Sequence, residues 1–169
     1  MRTEDGYDDP DLGFLRANIE ASSWTGRRPF HADWYDLSLL EPEGVNMLGA
    51  NPRPGGLARL KRAVAAAEAE LLPTAVEAVS AARTANLDWK QGPPLKAWTI
   101  VEVVIDESDL LWMSVYESVT DESSLWIVHF DVGHQPREVR RDGWGRSSRP
   151  LPSRGERIWA GITLPGDPE

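Results

Sequence analysis

The chain is predicted to be an α+β protein. An antiparallel sheet of four to five strands, centred on a three-strand meander at 97–132, packs on a long Pro-kinked helix at 57–85, with an irregular, aromatic-rich N-terminal third. Three observations carry this. Leu57, Leu60, Val64, Ala67, Leu71, Ala75 and Val79 recur at three- and four-residue spacing, which is one face of a helix. From Ala97 the apolar period becomes two, in AWTIVEVVI, LLWMSVYESV and SLWIVHFDV, all rich in β-branched and aromatic residues. Between these runs lie DESD and TDES, short polar stretches suited to turns.

Taken in order, residues 1–9 read as a flexible acidic tail. MRTEDGYDDPDLGF is acidic where a secretion signal would be basic and then apolar, so a cytoplasmic protein is expected. Asp9-Pro10 resembles a helix N-cap with proline at the first helical position, and Leu12, Leu15 and Ile19 then suggest a helix near 10–21. From 22 to 56 the prolines Pro29, Pro42, Pro52 and Pro54 break the chain, and Trp24, Phe30, Trp34 and Tyr35 suggest irregular structure packed through its rings. Pro73 removes a hydrogen bond and clashes with the preceding turn, so the long helix should kink or break there. A weaker strand is expected at 136–141 and another at RIWAGITL, 157–164, with an exposed Arg/Trp loop between them and a flexible end at 165–169.

The 169 residues suit one domain with a single core. The absence of cysteine excludes disulfides, thiolate nucleophiles and cysteine-ligated metals. No apolar run approaches the roughly 20 residues a membrane-spanning helix needs. The net charge of −9 disfavours nucleic acid as a partner. The charge is also segregated. Residues 97–136 carry Glu102, Asp106, Glu107, Asp109, Glu117, Asp121, Glu122 and Asp131 with no Lys or Arg, and an arginine-rich segment, 137–157, follows. The two blocks either neutralise each other in the fold or make a polarised surface that orients a charged partner. Arginine outnumbers lysine fifteen to three, which, with the alanine content, hints at a GC-rich bacterial genome.

Asp-Glu-Ser occurs at 106–108 and again at 121–123. The intervening strand would span about 33 Å, so these turns sit at opposite ends and do not form one acidic site. With simple turns the register places Trp112 opposite Val103 and Asp131, and Ser114 between Val101 and His129. A one-residue slip would exchange the faces. One face is then apolar, for the helix to cover, with Glu102 and Glu117 as exceptions. The other carries Thr99, Val101, Val103, Trp112, Ser114, Tyr116, Ile127, His129 and Asp131. Either the 22–56 segment folds over that second face, or it is a partner surface.

Three arrangements could carry chemistry. Ser114, His129 and Asp131 invite a catalytic-triad reading, but a mid-strand serine lacks backbone donors aimed at an oxyanion. His129, Asp131 and His134, with His31 and Asp33, are ligand types suited to zinc, manganese or iron, without a recognised ligand spacing. Arg140, Arg141, Arg146 and Arg149 surround a Trp flanked by glycines and suit a small anion. No dinucleotide or P-loop motif is present, and no cofactor is expected.

The reading that follows is a non-enzymatic acidic binding domain, of the inhibitor or immunity type, for a basic protein. Trp112 and Tyr116 would anchor the contact, and Asp106, Glu107, Asp109, Asp121 and Glu122 would steer association. The alternatives are a small hydrolase or metal-dependent enzyme using His129, Asp131 and His134 on an anionic substrate, and a subunit of a larger assembly. Two-fold pairing of the second face would make a homodimer.

Overall fold

The structure, a computed structural model, describes residues 2–3, 6–47, 50–85, 98–117 and 125–142. It is α+β. Among the described residues nine strands form one sheet in sequence order: β1 (Arg2–Thr3), β2 (Gly6–Asp9), β3 (Gly13–Asn18), β4 (Ser23–Phe30), β5 (Asp33–Leu40), β6 (Trp98–Ile105), β7 (Leu111–Glu117), β8 (Leu125–Phe130) and β9 (Pro136–Asp142). Every neighbouring pair is antiparallel except β5 and β6, which are parallel and joined by the helical crossover that parallel pairing requires. The expected strand at 157–164 lies outside the described residues.

The sheet is larger than four or five strands because the N-terminal third is strand, which corrects two expectations. Asp9 does accept the N–H groups of Asp11 (3.0 Å) and Leu12 (3.1 Å), as an N-cap would. The chain then turns at Gly13, whose φ of 79° favours glycine, and runs back as β3 instead of winding a helix over 10–21. Local capping chemistry serves an Asx turn equally well, and pairing with β4 decided between them. The 22–56 segment does not fold over the sheet. Its first half lies in the sheet plane as β4 and β5, with Trp24, Phe30, Tyr35, Leu37 and Leu39 all pointing into the main core.

The helix runs as α1 (Pro54–Ala66), a π-turn (Ala67–Leu71) and α2 (Leu72–Ala85). Pro73 does not break it. The π-turn just before the proline, where the Leu72 N–H reaches back five residues to the Ala67 carbonyl, widens the coil where the ring would crowd the preceding turn. Of the face the helical spacing predicts, Leu60, Ala67, Leu71, Ala75 and Val79 are buried against the sheet and Leu57 and Val64 are half-buried, while Ala63, outside that set, is buried with them. Gly56 permits the approach of α1: a Cβ there would lie 2.6 Å from Leu39 Cδ1. Lys61 bonds Asp9 (2.9 Å) and Asp11 (3.0 Å), so α1 is also tied to the β2–β3 turn. Burial pushes the Asp9 carboxyl up, but Lys61 and the two N–H groups outweigh it and hold it below the usual value.

The meander forms with a changed register. A β-bulge at Val101 shifts the pairing between Ile100 and Glu102, so Trp112 faces Val104 and His129, and Ser114 faces Glu102 and Ile127. The extra residue exchanges the faces of the second half of β6. Val103 and Ile105 therefore join the helix-side core, and Glu102 and Val104 move to the far face.

Candidate functional site

The hairpins β6–β7 and β8–β9 turn at the same end of the sheet, and their turns are built alike. In 106–110 the Asp106 Oδ1 accepts the N–H of Ser108 (2.8 Å) and of Leu110 (2.9 Å), and Asp106 N donates to the Leu110 carbonyl. In 131–135 the Asp131 Oδ1 accepts the N–H of Gly133 (2.8 Å) and of Gln135 (2.9 Å), and Asp131 N donates to the Gln135 carbonyl. Asp109 and His134, each three residues after its aspartate, hold φ of 63° and 61°. Each aspartate's carbonyl oxygen also accepts a guanidinium N–H from the start of the helix: Arg53 on Asp106, and Arg59 on Asp131 (2.6 Å) and Val132 (2.9 Å).

Arg53 is the wider hub. It pairs with Asp109 and the buried Glu41, and donates to the Leu40 carbonyl. Arg59 is buried deeper, and its side chain ties the second turn to the helix alone. The Gln135 and Gly133 N–H groups and Arg137 hold the Asp131 carboxyl below its ordinary value despite some burial. Burial, then Arg59 and Arg62, push His134 below the usual imidazole value, with Glu70 and Asp131 opposing. Two apolar side chains project from these braced turns: Leu110 is 47% exposed and Val132 81% exposed. Leu111 pairs with Phe130, so Leu110 stands beside the 131–135 turn. Glu107 is exposed at the tip of the first turn.

The face of the sheet away from the helix carries a second, smaller core of Val104, Trp112 and Ile127 with Leu40 against it. Trp112 is buried and stacks on His129, their ring centroids 5.9 Å apart and the planes 9° from parallel. Ser114 is buried beside them, and Ser38 Oγ donates to Glu102 (2.9 Å) in the neighbouring row. Arg140 makes a two-pronged bond to Glu138 (2.7 and 3.0 Å).

Measured against the residues expected from sequence, Asp106, Glu107 and Asp109 share one turn. Asp106 is spent largely on its own backbone, and Asp109 on Arg53. Trp112 lies in the far-face core, and Tyr116 is half-buried further along β7. Asp121, Glu122, Arg146 and Arg149 lie outside the described residues. Arg140 and Arg141 occupy opposite faces of β9, and Arg141 sits over the Trp126 ring at 5.6 Å on the helix side, so these two do not share an anion site. Ser114 and His129 share the far face, but Asp131 has left the strand and closes its turn, so the three do not align as a triad. Among the described residues no three His, Asp or Glu side chains converge as a metal-ligand set. His31 and Asp33 lie at the opposite end of the sheet from His134.

Sequence reasoning missed Arg53 and Arg59, each of which reaches a backbone carbonyl more than fifty residues away. It also missed Phe14 and Trp34, which stand exposed on the far face of β3 and β5. For Trp34 a signal existed: in DWYDLSLL the alternation puts Tyr35, Leu37 and Leu39 on one face and Trp34, Asp36 and Ser38 on the other.

The fold and surface define a class, an α+β protein whose large mixed sheet is covered on one face by a single interrupted helix. No protein-family model, curated protein or solved structure matches the chain. Among the described residues no helix is long and apolar enough to cross a membrane.

Proposed function

We propose that this is a non-catalytic binding protein that recognises a basic protein partner, in the manner of a stoichiometric inhibitor or immunity protein. Its contact surface is the end of the sheet where the two arginine-braced turns lie. The observation that supports this is the pairing of exposed Leu110 and Val132 on turns fixed by aspartate and arginine, with Glu107 at the tip. Rigid presentation lowers the ordering cost of binding, and an apolar pair near the exposed Glu107 suits a partner with an apolar socket and a neighbouring Lys or Arg. Burying the two side chains would contribute about 1–2 kcal/mol each. The net charge of −9 would speed encounter with a basic surface at low ionic strength.

Trp112 is not the anchor in this reading, because its ring is already engaged with His129 inside the far-face core. The test is affinity capture at low salt with wild type and with Leu110→Ser/Val132→Ser, whose positions are exposed. The expected result is a basic protein held one-to-one by wild type, released by the double variant, and associating more slowly as salt rises. A companion retained equally by both would move the surface elsewhere.

A further inference from the structure

The N-terminal wing carries a second exposed surface of different character. On the far face, one row runs across β2 to β5 as Asp8, Phe14, Arg27 and Asp36. The Asp8–Phe14 and Arg27–Asp36 pairs are in the ladder, and Phe14 falls opposite Arg27 when the Arg16–Thr25 pairing is continued by two residues. Pro29 and Trp34 form the next row, with Trp34 59% and Phe14 47% exposed. The Phe14 ring lies over Gly6, where a Cβ would sit 2.6 Å from its tip, so a missing side chain seats the aromatic flat against the strand. Arg27 Nε bonds Asp36 Oδ1 at 2.9 Å, with both side chains more than half exposed. Here two aromatic rings and a proline flank an ion pair on a strand surface that, among the described residues, no helix covers.

The charge on this surface identifies its occupant. Asp8 and Asp36 balance Arg16 and Arg27, and Glu102 beside Asp36 is half-buried and bonded by Ser38, so the exposed charges of the patch cancel on a molecule of net charge −9. A basic partner gains nothing there. A second copy of this chain repels itself over most of its surface, and repulsion is least where each copy is neutral and carries both signs. Under a two-fold axis Arg27 of one copy meets Asp36 of the other, while Phe14 and Trp34 cover each other's apolar area. We propose that this patch is a self-association surface, forming a two-fold dimer of the chain by packing the two N-terminal wings face to face. Seven side chains make up the patch, fewer than the roughly 20–30 residues a side of a standard interface, so the dimer is weak and concentration-dependent.

Sedimentation velocity from about 1 to 300 μM tests it on wild type, Phe14→Ser/Trp34→Ser, Arg27→Glu, and Arg27→Glu/Asp36→Arg, with circular dichroism confirming that each variant is folded. Wild type should pass from monomer to dimer. Phe14→Ser/Trp34→Ser should stay monomeric throughout, Arg27→Glu should weaken dimerisation at least tenfold, and the double charge exchange should recover most of that loss. A wild type that stays monomeric, or a dimer that survives Phe14→Ser/Trp34→Ser, overturns the proposal. Failure of the exchange to recover dimerisation overturns the Arg27–Asp36 pairing across the axis.

Discussion

The turns 106–110 and 131–135 are the same backbone object built from unrelated sequences, DESDL and DVGHQ. Only the opening aspartate is common, because only that side chain must accept the two N–H groups that close each turn. The differences lie in how each is held. The first turn's Arg53 spreads its donors over Asp109, Glu41, Leu40 and the Asp106 carbonyl, with its side chain 20% exposed. The second turn's Arg59 is 4% exposed and bonds two carbonyls. At the left-handed position the first turn places an ion-paired Asp109, and the second a His134 facing two arginines. Identical geometry is therefore braced in one case by a network open to water, and in the other by a buried clamp beside a titratable ring.

The comparison breaks most sharply at the arginines. Arg59→Met should destabilise by about 3 kcal/mol in urea unfolding, because it removes two charge-assisted hydrogen bonds made by a side chain that is itself buried. Arg53→Met should cost about 1–2 kcal/mol, since water can replace part of its network. If Arg53→Met proves the more damaging, burial is not what separates the two clamps, and the buried Glu41 carboxylate dominates instead. Next come the closing aspartates: Asp106→Ala and Asp131→Ala should each cost about 1–2 kcal/mol, equal within error if the turns are equivalent. The Asp131 variant should also flatten the acid limb of the stability curve.

The pH response separates the turns more gently. His134 titrates below its ordinary value of 6.5 in the folded chain, so the unfolded chain takes up the proton first. Its contribution to stability is full above pH 6.5 and falls away as pH drops from there to the lowered folded value. Asp131 is held below 3.8, so its contribution is full above that value and is lost as pH falls through the folded value. Chemical denaturation at closely spaced pH values should show a shallow decline beginning near 6.5 that vanishes in His134→Gln, with the acid limb unchanged. The smallest effect is at the left-handed positions themselves. His134→Gly should stabilise by about 0.5–1 kcal/mol at pH 7.5 by relieving a φ of 61°, while Asp109→Gly should gain less or lose, because it also removes the bond to Arg53.

Much of the frame could be read in advance where a local period carries it. The helix face from Leu57 to Val79 and the strands at 98–105, 111–117, 125–130 and 136–142 fall where apolar spacing places them. The N-terminal strands were harder to read because Asp9-Pro10 caps a turn as readily as a helix, and four prolines between 29 and 54 obscured the alternation in β5. The repeated Asp-Glu-Ser pointed to a likeness between 106 and 121. Residue 121 lies outside the described residues; the likeness among the described turns is between 106 and 131, since a turn needs its aspartate and a left-handed residue more than any particular tripeptide.

Composition and periodicity alone determined the α+β class, the helix face that is buried, the cysteine-free chemistry and the excess of negative charge. These are properties of single residues or of neighbours within one helical turn or one strand. Tertiary structure decided what depends on residues far apart. The bulge at Val101 sent Glu102 to the far face and Val103 to the core. The parallel pairing of β5 with β6 drew the N-terminal third into the sheet, and Arg53 and Arg59 found backbone carbonyls across the fold. A carbonyl oxygen is the same acceptor in every residue, so no side-chain pattern announces which one an arginine will reach.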